Sequence, residues 1–289
     1  MFQIIGIVVL FAMVFGGYTI AGGKMGVILH SLPYEMMMIG GAAVAALLIS
    51  NAPSTLKGVA GGFGKVFAGS KWKKQDYKDL LSLLFQLTKT MKSKGVIALE
   101  SHIEKPAEST IFQKYPKVLK DHFAVDFICD TLRMMTMNLE DPHQIEDAME
   151  KQLEKHHHEA LEPAHALQNM ADALPALGIV AAVLGVIKTM AAITEPPEVL
   201  GGMIGGALVG TFLGVFLAYG LVGPLATRLT GIINGDAAYY KIIQSVLVAH
   251  LHGNAAQISV EIGRGDIPSG AQPSFTEMEE ALSAAPTDA

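Results

Sequence analysis

Four stretches of the chain hold no charged side chain: residues 1–23, 36–56, 173–187 and 199–227. A hydrocarbon core of ~30 Å needs about 20 helical residues. Three of the stretches reach that length alone. The third in chain order reaches it once Asp172 and Lys188 sit at the interface, where long side chains snorkel. The pattern predicts an all-α membrane protein with four transmembrane helices in two hairpins and a large helical cytoplasmic domain. Helix one, over 2–21, and helix two, over 34–52, are joined by a turn around GGKMGVILHSLP and form the first hairpin, 1–52. Helix three, over 172–192, and helix four, over 200–226, form the second, 172–226. They are joined by AITEPPEVLGG, whose double proline rules out a continuous helix.

Between the hairpins, residues 53–171 change to helical periodicity with polar faces. KQDYKDLLSLLFQLTKTMKSKG places Tyr77, Leu80, Leu81, Leu84, Leu87 and Met91 on one side, with Gly95 as the stop. Asp141-Pro142 reads as an N-cap followed by proline at the first helical position. Residues 227–289 are expected to form a C-terminal helix and a loose tail, IPSGAQPSFTEMEEALSAAPTDA. The first apolar block has no basic n-region, which favours a retained anchor over a cleaved leader.

Charge then orients the chain. Of 21 Lys and Arg, 16 fall in the central segment and three follow helix four; only Lys24 and Lys188 lie toward the other side. Basic loops stay in the cytoplasm, so both termini are expected there. The net charge of −6 argues against a nucleic-acid partner. Cys129, the lone cysteine, cannot form an internal disulfide.

Candidate chemistry is sparse. No phosphate loop, nucleophile triad or paired cysteines occur, so neither an enzyme nor a cofactor is expected. KHHHEALEPAH carries His156, His157, His158 and His165, but consecutive histidines on a helix point apart, and a solvated face is favoured over a metal site. Within the expected spans, helices one, two and four hold no titratable group in their cores. Helix three has only Asp172 and Lys188 at its ends. A proton carrier at mid-depth would therefore have to come from another chain.

Small residues form stripes instead: Gly178, Ala181, Ala182 and Gly185 on helix three, and Gly206, Gly210 and Gly214 on helix four, beside Thr211. Such stripes let helices approach closely in lipid. Spacing alone favours packing of helix three on helix four over a pore-lining or intersubunit role. Thr211 is placed either to orient water or a partner's carboxylate, or to bond back to the preceding turn. Pro175 falls in the first turn of the expected helix three and Pro224 in the last turns of helix four. Lys92, Lys94 and Glu100 read as ordinary solvated charges.

ALVGTFLGVFLAYGLVGP (207–224) resembles the signature of the MotA family, ion-channel subunits of the bacterial flagellar stator. Ala207, Leu208, Gly210, Thr211, Phe212, Gly214, Phe216 and Pro224 fit its pattern. LPALGIVAAVLGVI (174–187), KSKGVIALESHIEKP (92–106) and QPSFTEMEEAL (272–282) are similar to its third helix, cytoplasmic motif and tail. The resemblance implies a proton-conducting homo-oligomer in membrane lipid: a pentamer around two single-span MotB helices, which supply the ion-binding aspartate. Torque would pass to the rotor protein FliG. Thr211, Ala182, Gly178, Gly210 and Gly214 would face the channel or partner helix, and Pro175 and Pro224 would couple ion flow to conformational change. Lys92 and Glu100 match the charged pair that engages the rotor. Arg is common at the Lys92 position, and Lys keeps the charge without the bidentate fork. Sodium-driven relatives carry Thr at the position of Ala182; removing that oxygen suits a proton. The alternatives are an energiser of the ExbB/TolQ type, usually with three spans, and a membrane scaffold with a cytoplasmic binding module.

Overall fold

The computed structural model describes residues 2–137 and 141–284, and no strand occurs among the described residues. Its main helices are α1 (Phe2–Ile20), α2 (Met25–Ser50), α3 (Pro53–Ala68), α4 (Lys74–Lys94), α5 (His122–Thr136), α6 (Pro142–Ala191), α7 (Pro197–Leu251), α8 (Ala256–Gly265) and α9 (Phe275–Ser283). Of these, α1, α2, α6 and α7 are long and apolar enough to cross a membrane. The chain divides into two compact units, 1–69 with 160–232 and 70–159 with 233–289. The sequence had suggested divisions after residues 52, 171 and 226. The difference arises because α3 packs in the first unit and because α6 and α7 run on past the apolar blocks.

Three helices begin or end elsewhere than the hydropathy pattern indicated. The second helix starts at Met25 rather than near 34, because Pro33 leaves it unbroken and the turn shrinks to the residues around Gly22, whose φ of 83° suits glycine. The third apolar block is the end of a 50-residue helix, α6, that starts at Pro142 under the side chain of Asp141, which accepts from the His143 N–H at 3.0 Å. Pro175 therefore lies deep inside a helix and not in its first turn. Pro224 is likewise interior, since α7 continues to Leu251. A change from polar to apolar composition is not a helix stop when no cap or glycine break accompanies it. The tail also differs: Ser274 accepts from the Glu277 N–H and Glu277 returns the bond, a capping box that starts α9. Residues 285–289 of that expected tail lie outside the described residues.

The first unit is organised by backbone contact between α6 and α7. A Cβ built on Gly178 would lie 2.8 Å from the Gly210 carbonyl oxygen and 3.1 Å from Gly214 Cα; one on Gly214 would lie 2.6 Å from the Leu174 carbonyl oxygen. One on Gly185 would meet Ala207 Cβ at 2.6 Å. Hydrogen in place of methyl is what permits the approach. Around this seam pack Ile39, Ala43, Leu174, Ala181, Leu213 and Ala218. Phe11 and Phe15 of α1 meet Phe212 and Phe216 of α7 edge to face at 5.3–5.9 Å. The outward faces stay apolar: Phe2, Ile20 and Ile49 are all more than four-fifths exposed, as a bilayer-facing surface requires. α3 joins this unit through Gly58 against Pro163, Gly62 against Leu229, and a 2.7 Å hydrogen bond from Thr55 to Glu162.

The second unit has its own core. On α4, Leu80, Leu81, Leu83, Leu84 and Leu87 are fully buried, and Trp72 stacks on Tyr239 with centroids 3.7 Å apart. Asp121 caps α5 by accepting from the Ala124 N–H at 2.8 Å, and it also accepts from Lys71 and from Tyr240 at 3.1 Å. Burial raises the pKa of this carboxyl, but the Lys71, Ala124 and Tyr240 bonds outweigh burial and hold it below the usual aspartate value.

Two predictions follow from this packing. Gly214→Ala must push backbone against backbone and should cost about 1–3 kcal/mol, read as a lowered Tm of the detergent-purified chain. Gly6→Ala, inside a helix and with nothing within 4 Å of its added methyl, should not lower the Tm. For Asp121 a depressed folded-state pKa means that its contribution is complete above about pH 4 and is lost as pH falls through the lowered value. Asp121→Asn should remove about 1–3 kcal/mol at neutral pH and flatten this acid dependence, followed by the fluorescence of Trp72.

Candidate functional site

The sequence-selected residues do not converge on one pocket. Gly178, Gly210 and Gly214 are spent on contacts within the chain: Gly178 and Gly214 face each other, while Gly210 meets Ala181 Cβ and the Ala182 nitrogen, each at 3.3 Å from a Cβ built there. Ala182 and Thr211 flank this seam half-buried. Thr189 and Thr230 bond back to carbonyls four residues earlier, at 2.9 and 3.0 Å, whereas Thr211 makes no such bond among the described residues.

Both prolines interrupt helical hydrogen bonding. Pro175, half-buried in α6, leaves the Ala171 carbonyl without its usual donor. Upstream of Pro224, α7 widens over Phe216–Val222, where the Gly223 N–H bonds to the Ala218 carbonyl five residues earlier. Such wide turns absorb a local mismatch and recur at functional positions. Pro224 is exposed, in a cleft with Gln168, Tyr219, Thr227 and Arg228.

Lys92 and Glu100 lie on either side of the helix break at Gly95, where φ is 83°. Both are exposed, Lys92 in the last turn of α4 and Glu100 at the start of the short helix Glu100–Glu104. Glu100 borders a shallow cleft with Ser101, Glu104, Lys105 and Glu108, and Ile97 nearby is 82% exposed. The cleft is open and lined by charged side chains. Lys92 also lies near His250, whose pKa is lowered first by burial and further by the lysine's charge.

In the histidine run, His158 and His165 are exposed and His156 is packed. His156 lies flat on Phe123 at 3.6 Å and edge-on to Tyr240 at 5.0 Å. No cluster of three metal-ligating side chains occurs among the described residues.

One group escaped the sequence reading. With helix two expected from residue 34, Glu35 stood at the membrane edge. In the structure it is ten residues inside α2, about 15 Å from the helix start, and only 5% exposed. Glu35, at the edge of helix two as the sequence read it, is thus a buried carboxyl within a membrane-length helix. A sequence signal did exist: Ser31 and Glu35 are four apart, as are Gly206 and Gly210, and the two pairs meet. A Cβ on Gly206 would lie 2.9 Å from Ser31 Oγ, and one on Gly210 2.6 Å from Glu35 Oε2. The α7 glycines thus accommodate α6 on one side and polar side chains of α2 on the other.

Comparison with known proteins identifies the family. Residues 4–95 match the family model described as Motility protein A N-terminal, and residues 120–241 match that of the MotA/TolQ/ExbB proton channel family. The chain is 39% identical to motility protein A of Salmonella typhimurium over 280 residues, covering 97% of this chain and 94% of that protein. It is 38% identical to motility protein A of Escherichia coli over the same shares. Chemotaxis protein LafT of Vibrio parahaemolyticus is 36% identical over 97% of this chain and 98% of its own length. Among solved structures, C. jejuni MotAB superposes with a TM-score of 0.71 at 20% identity, covering 94% of this chain and 98% of that one. The flagellar MotAB stator complex from Bacillus subtilis superposes at 0.67 with 21% identity, covering 89% and 92%. From full-length similarity to its relatives, with four membrane-length helices, the chain belongs to the motility protein A family.

Proposed function

We propose that the chain is the proton-conducting stator subunit of a bacterial flagellar motor, a membrane channel component and not an enzyme. The observation that carries this reading is the near-full-length match to motility protein A relatives. The glycine seam that builds the α6–α7 pair falls within the part that matches the proton channel family. An ExbB/TolQ-type energiser is not favoured, because residues 4–95 match a motility-specific family model. The partner is a single-span MotB-type protein. The chain forms a ring around it, a pentamer, in the lipid of the inner membrane with both termini cytoplasmic. Thr211 and Ala182, half-buried beside the seam, face the permeation path, and Ala182 leaves it without the oxygen that a sodium ion would use. Pro175 and Pro224 are the points at which α6 and α7 bend as protons pass. Lys92 and Glu100 engage FliG.

The test is proton flux in vesicles holding the chain with and without its single-span partner. Flux should require both proteins, follow the proton gradient and ignore external sodium; no flux with both present contradicts the proposal. Lys92→Glu and Glu100→Lys should each reduce torque at unchanged flux and membrane level, and normal torque in the double reversal counts against their role. Pro175→Ala or Pro224→Ala should yield assembled complexes that do not turn.

A further inference from the structure

The cleft between α2, α6 and α7 has a volume of about 690 Å³ and is bordered by His30, Ser31, Tyr34, Glu35, Lys188 and Gly206. Glu35 is buried there, and its Oε2 has no hydrogen-bond partner. A buried carboxylate oxygen without a donor is costly, and residues held that way inside a membrane span mark ion paths. Packing does not explain it, because an apolar side chain against Gly206 and Gly210 would fill the same space without that penalty.

We infer that Glu35 is a proton-binding site of this chain's own membrane interior, reached by water through the cleft it shares with His30, Ser31 and Lys188. The inference rests on the proton-channel reading above and adds a carrier to it. The carboxylate takes one proton from a hydronium ion, leaving water and a neutral acid, and later returns that proton to water. A metal cation does not suit the place: one carboxylate and the Ser31 hydroxyl offer few oxygens, and the Lys188 ammonium borders the same cleft. The titratable groups along the cleft are His30 and Tyr34 on Glu35's own helix and Lys188 on α6. α7 contributes none there, presenting Gly202, Gly206 and Ala207.

Two readouts test the site. Infrared titration of the full chain in lipid vesicles, over about pH 4 to 9, reads the carbonyl stretch of a protonated carboxyl. A titrating band should be present in the wild type, vanish in Glu35→Gln and shift in Glu35→Asp. In vesicles that also hold the partner, Glu35→Gln should lower proton flux roughly tenfold or more, while Glu35→Asp keeps most of it. Wild-type flux in Glu35→Gln, or the absence of any titrating band that the substitution removes, overturns the inference. Should the wild-type complex itself conduct nothing, the channel reading fails, and the infrared titration alone decides whether Glu35 binds a proton.

Discussion

Where α6 passes α7 the backbones touch, because Gly178 and Gly214 place no methyl between them. In lipid the hydrophobic effect cannot draw one apolar helix to another, so dispersion across close surfaces and interhelical polar contacts must do so. The remainder of the first unit follows from that contact. Leu174, Ala181, Leu213 and Ala218 are buried around it. Phe212 and Phe216 are set to receive α1, and the opposite flank of α7 is presented to α2.

On that flank the same glycines play a second part. Gly206 and Gly210 open the space in which Ser31 and Glu35 lie, so a stripe that closes one interface leaves room for a carboxyl at the other. A single feature then accounts for the packing and for a buried titratable group.

Much of the fold was legible from residue pattern because its determinants are local. Apolar block length gives the spans, Asp141-Pro142 gives the start of α6, and Gly95 gives the end of α4. Boundaries failed where a helix crosses from polar to apolar surroundings, since hydropathy reports the medium and not the hydrogen bonding. That is why Pro175 and Pro224 read as termini and proved interior. Glu35 was missed through the same error, a helix start misplaced by nine residues. The pairing of Ser31 and Glu35 with Gly206 and Gly210 is a tertiary fact spanning most of the chain. The sequence offered the two spacings but not their meeting.

The glycine face of α7 is used up within one subunit, by α6 and α2. Disulfide formation between Ser31→Cys and Gly206→Cys, on a Cys129→Ala background, tests this. Ser31 Cβ lies 3.9 Å from a Cβ built on Gly206, within the separation a disulfide spans, and no other residue crowds that Cβ. Oxidation in membranes should close the bond within single chains, leaving a monomer on a non-reducing gel and no free thiol to label. Chain-to-chain dimers would contradict the account and assign the glycine face to an interface between subunits.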